Sequence, residues 1–153
     1  MNNCGNIPNI QGIDGSDWFY SDMVKDHFLH PRNFLIDEKK YEADGFGITG
    51  SSICGDMMSI FIKVYKDKGG GEKIKECKWQ TFGCASAIAS TSMMSIMVTE
   101  NGGMSLKRAK KLKPQEIIER LGGLPEIKFH CSVLSHEALR SAVENYEKNN
   151  KKK

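Results

Sequence analysis

Three cysteines stand beside residues that bind metal or free the backbone: Cys54-Gly55-Asp56, Gly83-Cys84 and His130-Cys131. Thiolate sulfur is the soft ligand preferred by zinc and by iron–sulfur clusters, and a carboxylate oxygen or imidazole nitrogen can complete a fourth position. The three are far apart in the chain and form no CxxC pair. Spacing alone therefore leaves open both a metal site assembled from distant segments and a set of isolated buried thiols.

The elements that must carry these residues can be read from periodicity. Tyr20, Val24 and Phe28 recur at helical spacing, and Pro31 disfavours helical geometry at His30, so a helix is predicted over 17–29 with Ser16 or Asp17 as its cap. A short strand is expected over 45–50. Met58, Ile60, Ile62 and Val64 then alternate with polar and aromatic neighbours as a strand, a glycine-rich turn covers 66–73, and 74–82 returns with Cys77, Trp79 and Thr81 on one face. Helices are predicted over 85–99, ending at Asn101-Gly102-Gly103, over 105–111, and over 114–121, which opens on a proline. Leu139, Ala142, Val143 and Tyr146 mark the buried face of a last helix that frays into the lysine-rich end.

The predicted class is thus α+β, a small three-stranded antiparallel sheet with helices packed on it, an N-terminal helix and a helical C-terminal half. One domain over 17–147 is expected, between a mobile tail at 1–16 and a lysine-rich tail at 148–153. In this arrangement Cys54 sits in a strand-to-strand turn, Cys84 between a strand and a helix, and Cys131 just before the last helix. Element ends expose a side chain while the scaffold fixes its backbone. Helix N-termini after Cys84 and Cys131 would favour their thiolates.

Composition narrows the classes. With 153 residues and 39% apolar content the chain can enclose one core, and its formal charge of +3 is no larger than the contribution of Lys151, Lys152 and Lys153. No nucleic-acid-binding field is implied, and no apolar run is long enough to span a bilayer as a helix. Residues 1–16 lack the basic start and apolar centre of a secretory signal and contain no arginine, so a cytoplasmic protein is expected. Five dispersed cysteines are an odd number and fit reduced thiols better than a disulfide framework.

Several residues have plainer readings. Cys4, in the tail, has no ligand-type neighbour and reads as an incidental exposed thiol. Cys77, inside an apolar strand beside Trp79, reads as a core thiol, and Met93, Met94, Ile96 and Met97 at helical spacing read as core filling. His27, His30 and His136 are expected on helix surfaces or at caps. Lys107, Arg108, Lys110, Lys111 and Lys113 form a basic run expected to be a solvated helix face, with docking of an acidic partner as the other reading.

The local words go further. Tyr20-Ser21-Asp22 through Pro31-Arg32-Asn33, Ile53-Cys54-Gly55-Asp56, Thr81-Phe82-Gly83-Cys84-Ala85-Ser86-Ala87-Ile88-Ala89-Ser90, and Leu124-Pro125 through Lys128 to His130-Cys131-Ser132 occur in this order. Over about 17–147 the chain resembles the IscU/NifU N-terminal domain family of iron–sulfur cluster assembly scaffolds. The resemblance implies an α+β fold and a non-enzymatic scaffold or carrier. Cys54, Cys84 and Cys131 would be sulfur acceptors and cluster ligands, Asp56 and His130 would compete for the remaining position, and Lys128 would lie close by.

It further implies a [2Fe–2S] cluster, or a [4Fe–4S] cluster on a dimer, zinc in the cluster-free form, and a monomer or homodimer. The partners implied are a cysteine desulfurase and recipient apo-proteins. Relatives that recruit Hsp70/J-type chaperones carry Leu-Pro-Pro-Val-Lys, and Glu126 here replaces the second proline, which argues against that partnership. With no NifU-type segment after the last helix, a stand-alone scaffold is expected. The rival is a zinc-dependent persulfide-accepting sulfur-transfer protein. Against it, the chain lacks the long insertion between the second and third cysteines that marks the SufU branch. A purely structural zinc domain would call for four firm ligands.

Overall fold

The computed structural model describes residues 10–11, 17–18, 20–50 and 55–151. Ile10–Gln11 (β1) pairs antiparallel with Asp17–Trp18 (β2). A helix, Asp22–Leu29 (α1), follows, and then a three-stranded antiparallel sheet of Gly45–Gly50 (β3), Met57–Lys66 (β4) and Glu72–Phe82 (β5), with β4 in the centre. Four helices complete the chain: Ala85–Thr99 (α2), Leu106–Lys110 (α3), Pro114–Arg120 (α4) and Phe129–Lys151 (α5). The α+β class and the three-stranded meander agree with the sequence reading.

Alternation explains the sheet. Met58, Ile60 and Ile62 point one way from β4 and are fully buried, as period-two geometry requires. They meet α2 and α5, which cover the same face. On β3 the inward positions are Gly45 and Gly47, and a Cβ at Gly47 would lie 2.2 Å from the Ala138 carbonyl oxygen. Helix α5 therefore lies directly on the strand's backbone. Helix α2 is enclosed on nearly all sides, with Ala87, Ala89, Met94 and Val98 at zero exposure and Met93 and Met97 also buried. A helix buried on nearly all sides belongs in such a central position when its hydroxyls find partners; Met93, Met94 and Met97 are core filling as expected, while Ile96, expected with them, is only half-buried.

Four local predictions need correction. The first helix begins at Asp22, not residue 17, because Ser21 caps it by accepting the Val24 amide at 3.1 Å and Asp17 is in β2; Ser16 lies outside the described residues. Phe28 is 36% exposed, and His27, expected on the surface, takes the inward place after Tyr20 and Val24 at only 2% exposure. Its Nδ1 lies 2.8 Å from the Ser92 hydroxyl, so a hydrogen bond makes that burial affordable. His30, by contrast, caps the C-terminus of α1. The turn between β4 and β5 is shorter than 66–73, since Asp67 gathers the Gly69 and Gly71 amides at 2.9 Å and closes it tightly. Finally, α5 starts at Phe129, so Cys131 lies in its first turn and not before it; a 3₁₀ turn over Glu126–Lys128 runs straight into the helix.

A bulge explains one departure from alternation. Lys63 pairs with Glu76 but Val64 pairs with Ile74, leaving Lys75 as the extra residue. Ile74 and Cys77 are three apart and yet both buried. In the basic run, Arg108 pairs with Glu116 and Lys110 with Glu147, while Lys107, Lys111 and Lys113 are exposed. Among the described residues, no helix is long and apolar enough to cross a membrane.

Candidate metal centre

The end of β5 and the start of α2 meet the start of β4 and the first turn of α5 at one end of the sheet's strands. Cys84 is the N-cap of α2 in extended geometry, with φ of −75° and ψ of 175°. Asp56 directly precedes β4, after Gly55 at a positive φ of 72°. His130 and Cys131 occupy consecutive positions in the first turn of α5.

These four side chains converge. Cys84 Sγ is 3.6 Å from Cys131 Sγ and 3.8 Å from Asp56 Oδ2. Cys131 Sγ is 3.9 Å from the same carboxylate oxygen and 3.6 Å from His130 Nε2. Ligand atoms of Asp56, His130 and Cys131 all lie within 4.8 Å of one another, close enough to share one ion. Two sulfurs, a carboxylate and an imidazole match the mixed donor set of a zinc or iron site. Cys54 and Cys4 lie outside the described residues. Cys77 is apart from the group, 1% exposed in the core, and burial pushes its thiol up to about 12.

Gly83 makes the carboxylate's approach feasible. A Cβ there would sit 2.9 Å from the Ala87 methyl and 3.1 Å from Asp56 Cγ. Any larger residue would press on Asp56 or on the start of α2.

The two thiols differ electrostatically. A hydrogen bond from Cys131 holds the Cys84 thiol down to about 6, against opposing desolvation, with the Ala87 amide and the Lys128 charge adding to the effect. Cys131 is raised by the same bond, by burial and by the charges of Cys84 and Asp56. One shared hydrogen bond therefore pulls the two thiols in opposite directions, Cys84 toward thiolate and Cys131 toward thiol. The expectation that helix N-termini would favour thiolate at both cysteines holds in direction for Cys84 only. Nor is Cys131 exposed: its accessibility is zero, because Asp56, Cys84 and His130 surround the sulfur. Lys128, which ends the 3₁₀ turn before α5, lies near enough for its charge to favour both thiolates.

Two neighbours escaped the sequence reading as site residues. Tyr20 has a place in the helical stripe and in a family word but no site role in the sequence reading, yet the Ser86 hydroxyl donates to its phenol oxygen at 3.1 Å, two residues from Cys84. Its pKa is raised, by burial first, with Cys84 and Cys131 contributing. The available signal was chemical, since a buried tyrosine hydroxyl seeks a partner and Ser86 lay in a motif already singled out.

With this geometry established, comparison places the chain. The sequence model described as "NifU-like N terminal domain" matches residues 19–153. The chain belongs to that family. It is 46% identical over 133 residues to "Iron-sulfur cluster assembly scaffold protein IscU 1" of Archaeoglobus fulgidus, covering 87% of this chain and 80% of that protein. To the protein of Rickettsia prowazekii called "Iron-sulfur cluster assembly scaffold protein IscU" it is 39% identical over 134 residues, covering 88% and 96%. A solved NifU-like N-terminal protein from Brucella abortus shares the fold, with a TM-score of 0.58 over 84% of this chain and 94% of that one at 16% identity.

Proposed function

We propose that this chain is a scaffold on which iron–sulfur clusters are assembled and from which they are passed to recipient apo-proteins. The observation that carries the reading is the convergence of Cys84, Cys131, Asp56 and His130 on one volume, in a chain whose family relatives are named as such scaffolds. Cys54, two residues before Asp56, supplies the third thiol in this proposal.

The chemistry follows from the charge distribution. Cys84, held as thiolate and partly exposed, attacks the outer sulfur of a persulfide presented by a cysteine desulfurase. A sulfur–sulfur bond forms to Cys84, the donor's bond breaks, and the desulfurase leaves as a thiolate. Two sulfurs delivered in this way are reduced to sulfide, two electrons coming from the oxidation of two ferrous ions to ferric and two from an external electron donor; each sulfur–sulfur bond to Cys84 breaks and returns its thiolate, and the resulting [2Fe–2S] cluster, held as cargo, has Cys84, Cys131, Cys54 and either Asp56 or His130 as ligands. Carboxylate or imidazole binds iron less softly than a fourth thiolate, which keeps the cluster transferable. Zinc fits the same donors in the cluster-free protein and orders the site by linkage of binding to folding. The chain acts as a carrier, and Glu126 sets it apart from clients of the Hsp70-type chaperones.

The test is anaerobic reconstitution with ferrous iron, cysteine, a desulfurase and a dithiol reductant, read by visible absorption and Mössbauer spectroscopy, then timed transfer to an apo-ferredoxin. A transferable cluster is expected. Tightly held zinc with no cluster after its removal would overturn the scaffold in favour of a zinc-dependent persulfide acceptor.

A further inference from the structure

Between the two helices that carry Cys84 and Cys131 the contact is not purely apolar. Ser90 Oγ of α2 lies 3.1 Å from Ser132 Oγ of α5, and Thr91 Oγ1 lies 3.0 Å from Ser135 Oγ. All four residues have zero exposure. Each member of the second pair also reaches its own helix, Thr91 to the Ala87 carbonyl at 2.7 Å and Ser135 to the Cys131 carbonyl at 3.0 Å. Both further approach the Met58 sulfur of β4, at 3.4 and 3.3 Å. Two adjacent rungs therefore bind α2 to α5 within about two turns of the site, and one of them ends on the backbone of Cys131 itself.

Apolar packing tolerates small slides of one helix along another, whereas hydroxyls stacked in two cross-helix pairs meet at one register only, even though Thr91 and Ser135 each also reach a carbonyl of their own helix. We propose that Ser90, Ser132, Thr91 and Ser135 are positioning residues that set the axial register of α2 against α5, and thereby the separation and aim of the Cys84 and Cys131 sulfurs toward a metal. The inference rests on the reading of those cysteines as ligands. It adds that the ligand geometry is fixed from within the core and not only by the loops around the site.

Removing both partners of a rung leaves no orphaned hydroxyl, so S90A/S132A and T91V/S135A should fold with little loss of stability. The probe is cobalt(II) titrated anaerobically into the full chain, read by sulfur-to-cobalt charge-transfer and ligand-field bands, with melting of the metal-free protein in parallel. Each double variant is expected to bind cobalt roughly tenfold more weakly and to shift the ligand-field bands, while melting within a few degrees of the unaltered chain. Ser90→Thr, which retains the hydroxyl, should keep the original spectrum. Ser92→Ala is the control: Ser92 lies on α2 but bonds His27 and the Arg32 amide, so its loss should lower the melting temperature and leave the cobalt spectrum unchanged. Should one pair fail to fold, the other provides the same comparison. Unaltered spectra and affinity in a folded double variant would overturn the register role alone. Lack of a sulfur-to-cobalt band in the unaltered chain would overturn the ligand reading and this inference with it.

Discussion

Cys77 and Cys84 are seven residues apart in sequence and live in opposite chemical regimes. Cys77 faces the core from the middle of β5, where the loss of water outweighs the nearby Lys78 charge and its thiol is pushed up to about 12. Cys84 stands two residues past the end of that strand, at a helix N-terminus with a second thiol and a lysine nearby, and is held down to about 6. Residue type is constant and environment decides. A strand interior buries a cysteine as a small hydrophobe, whereas a strand-to-helix junction delivers one to solvent, to amide donors and to partners from other segments.

The two thiols should differ most in alkylation of the metal-free chain by iodoacetamide, read by peptide mass spectrometry. The thiolate is the nucleophile, so Cys84 labelling should rise as pH increases through about 6 and level off above it, while Cys77 remains protonated. At neutral pH the expected rate ratio is on the order of a thousandfold. Equal labelling of the two in the folded protein would contradict it.

Next in size is the loss of a ligand. Cys84→Ala or Cys131→Ala should weaken cobalt binding by about a hundredfold or more. Cys77→Ala should leave it intact and destabilise the fold by about 1 kcal/mol in urea unfolding. Gly83→Ala tests the junction without removing any donor. Its methyl would press Asp56 and the first turn of α2, and an affinity loss of about tenfold is expected in the same titration. Asp56→Ala should slow cluster transfer to an apo-ferredoxin; unchanged kinetics would count against a role for the carboxylate.

The smallest effect belongs to the core side. Burial, with the nearby Arg32 charge second, lowers the pKa of His27 from 6.5. The unfolded chain therefore takes up a proton more readily, so this contribution to stability is present above pH 6.5 and lost as pH falls below it. A His27→Gln variant should show a flatter pH dependence of unfolding across that range.

Periodicity sufficed for most of the fold, because the sheet and α2, α3 and α4 are built from runs whose burial follows a single rule. It failed where two rules compete. A helical stripe through Tyr20, Val24 and Phe28 was legible, but whether position 27 or 28 turns inward depends on the Ser92 hydroxyl, 65 residues away. The bulge at Lys75 is invisible in a pattern that assumes strict alternation. Among site residues, Cys84, Cys131, Asp56 and His130 were identifiable from their local words, and the structure brings these four together. What the sequence could not convey is the division of labour between the two sulfurs, which arises from one hydrogen bond across 47 positions.

The pair of glycines beneath α5 has a mechanical meaning. At 1.5 Å per residue a helix of this length is a beam of roughly 35 Å, and Gly45 and Gly47 let its midsection rest directly on β3, against Ala138 and Ala142. Cys131 is the tip of a beam clamped well behind its end. His130 and Cys131 are thereby placed by the sheet's own backbone, at the near end of a helix anchored at its midsection.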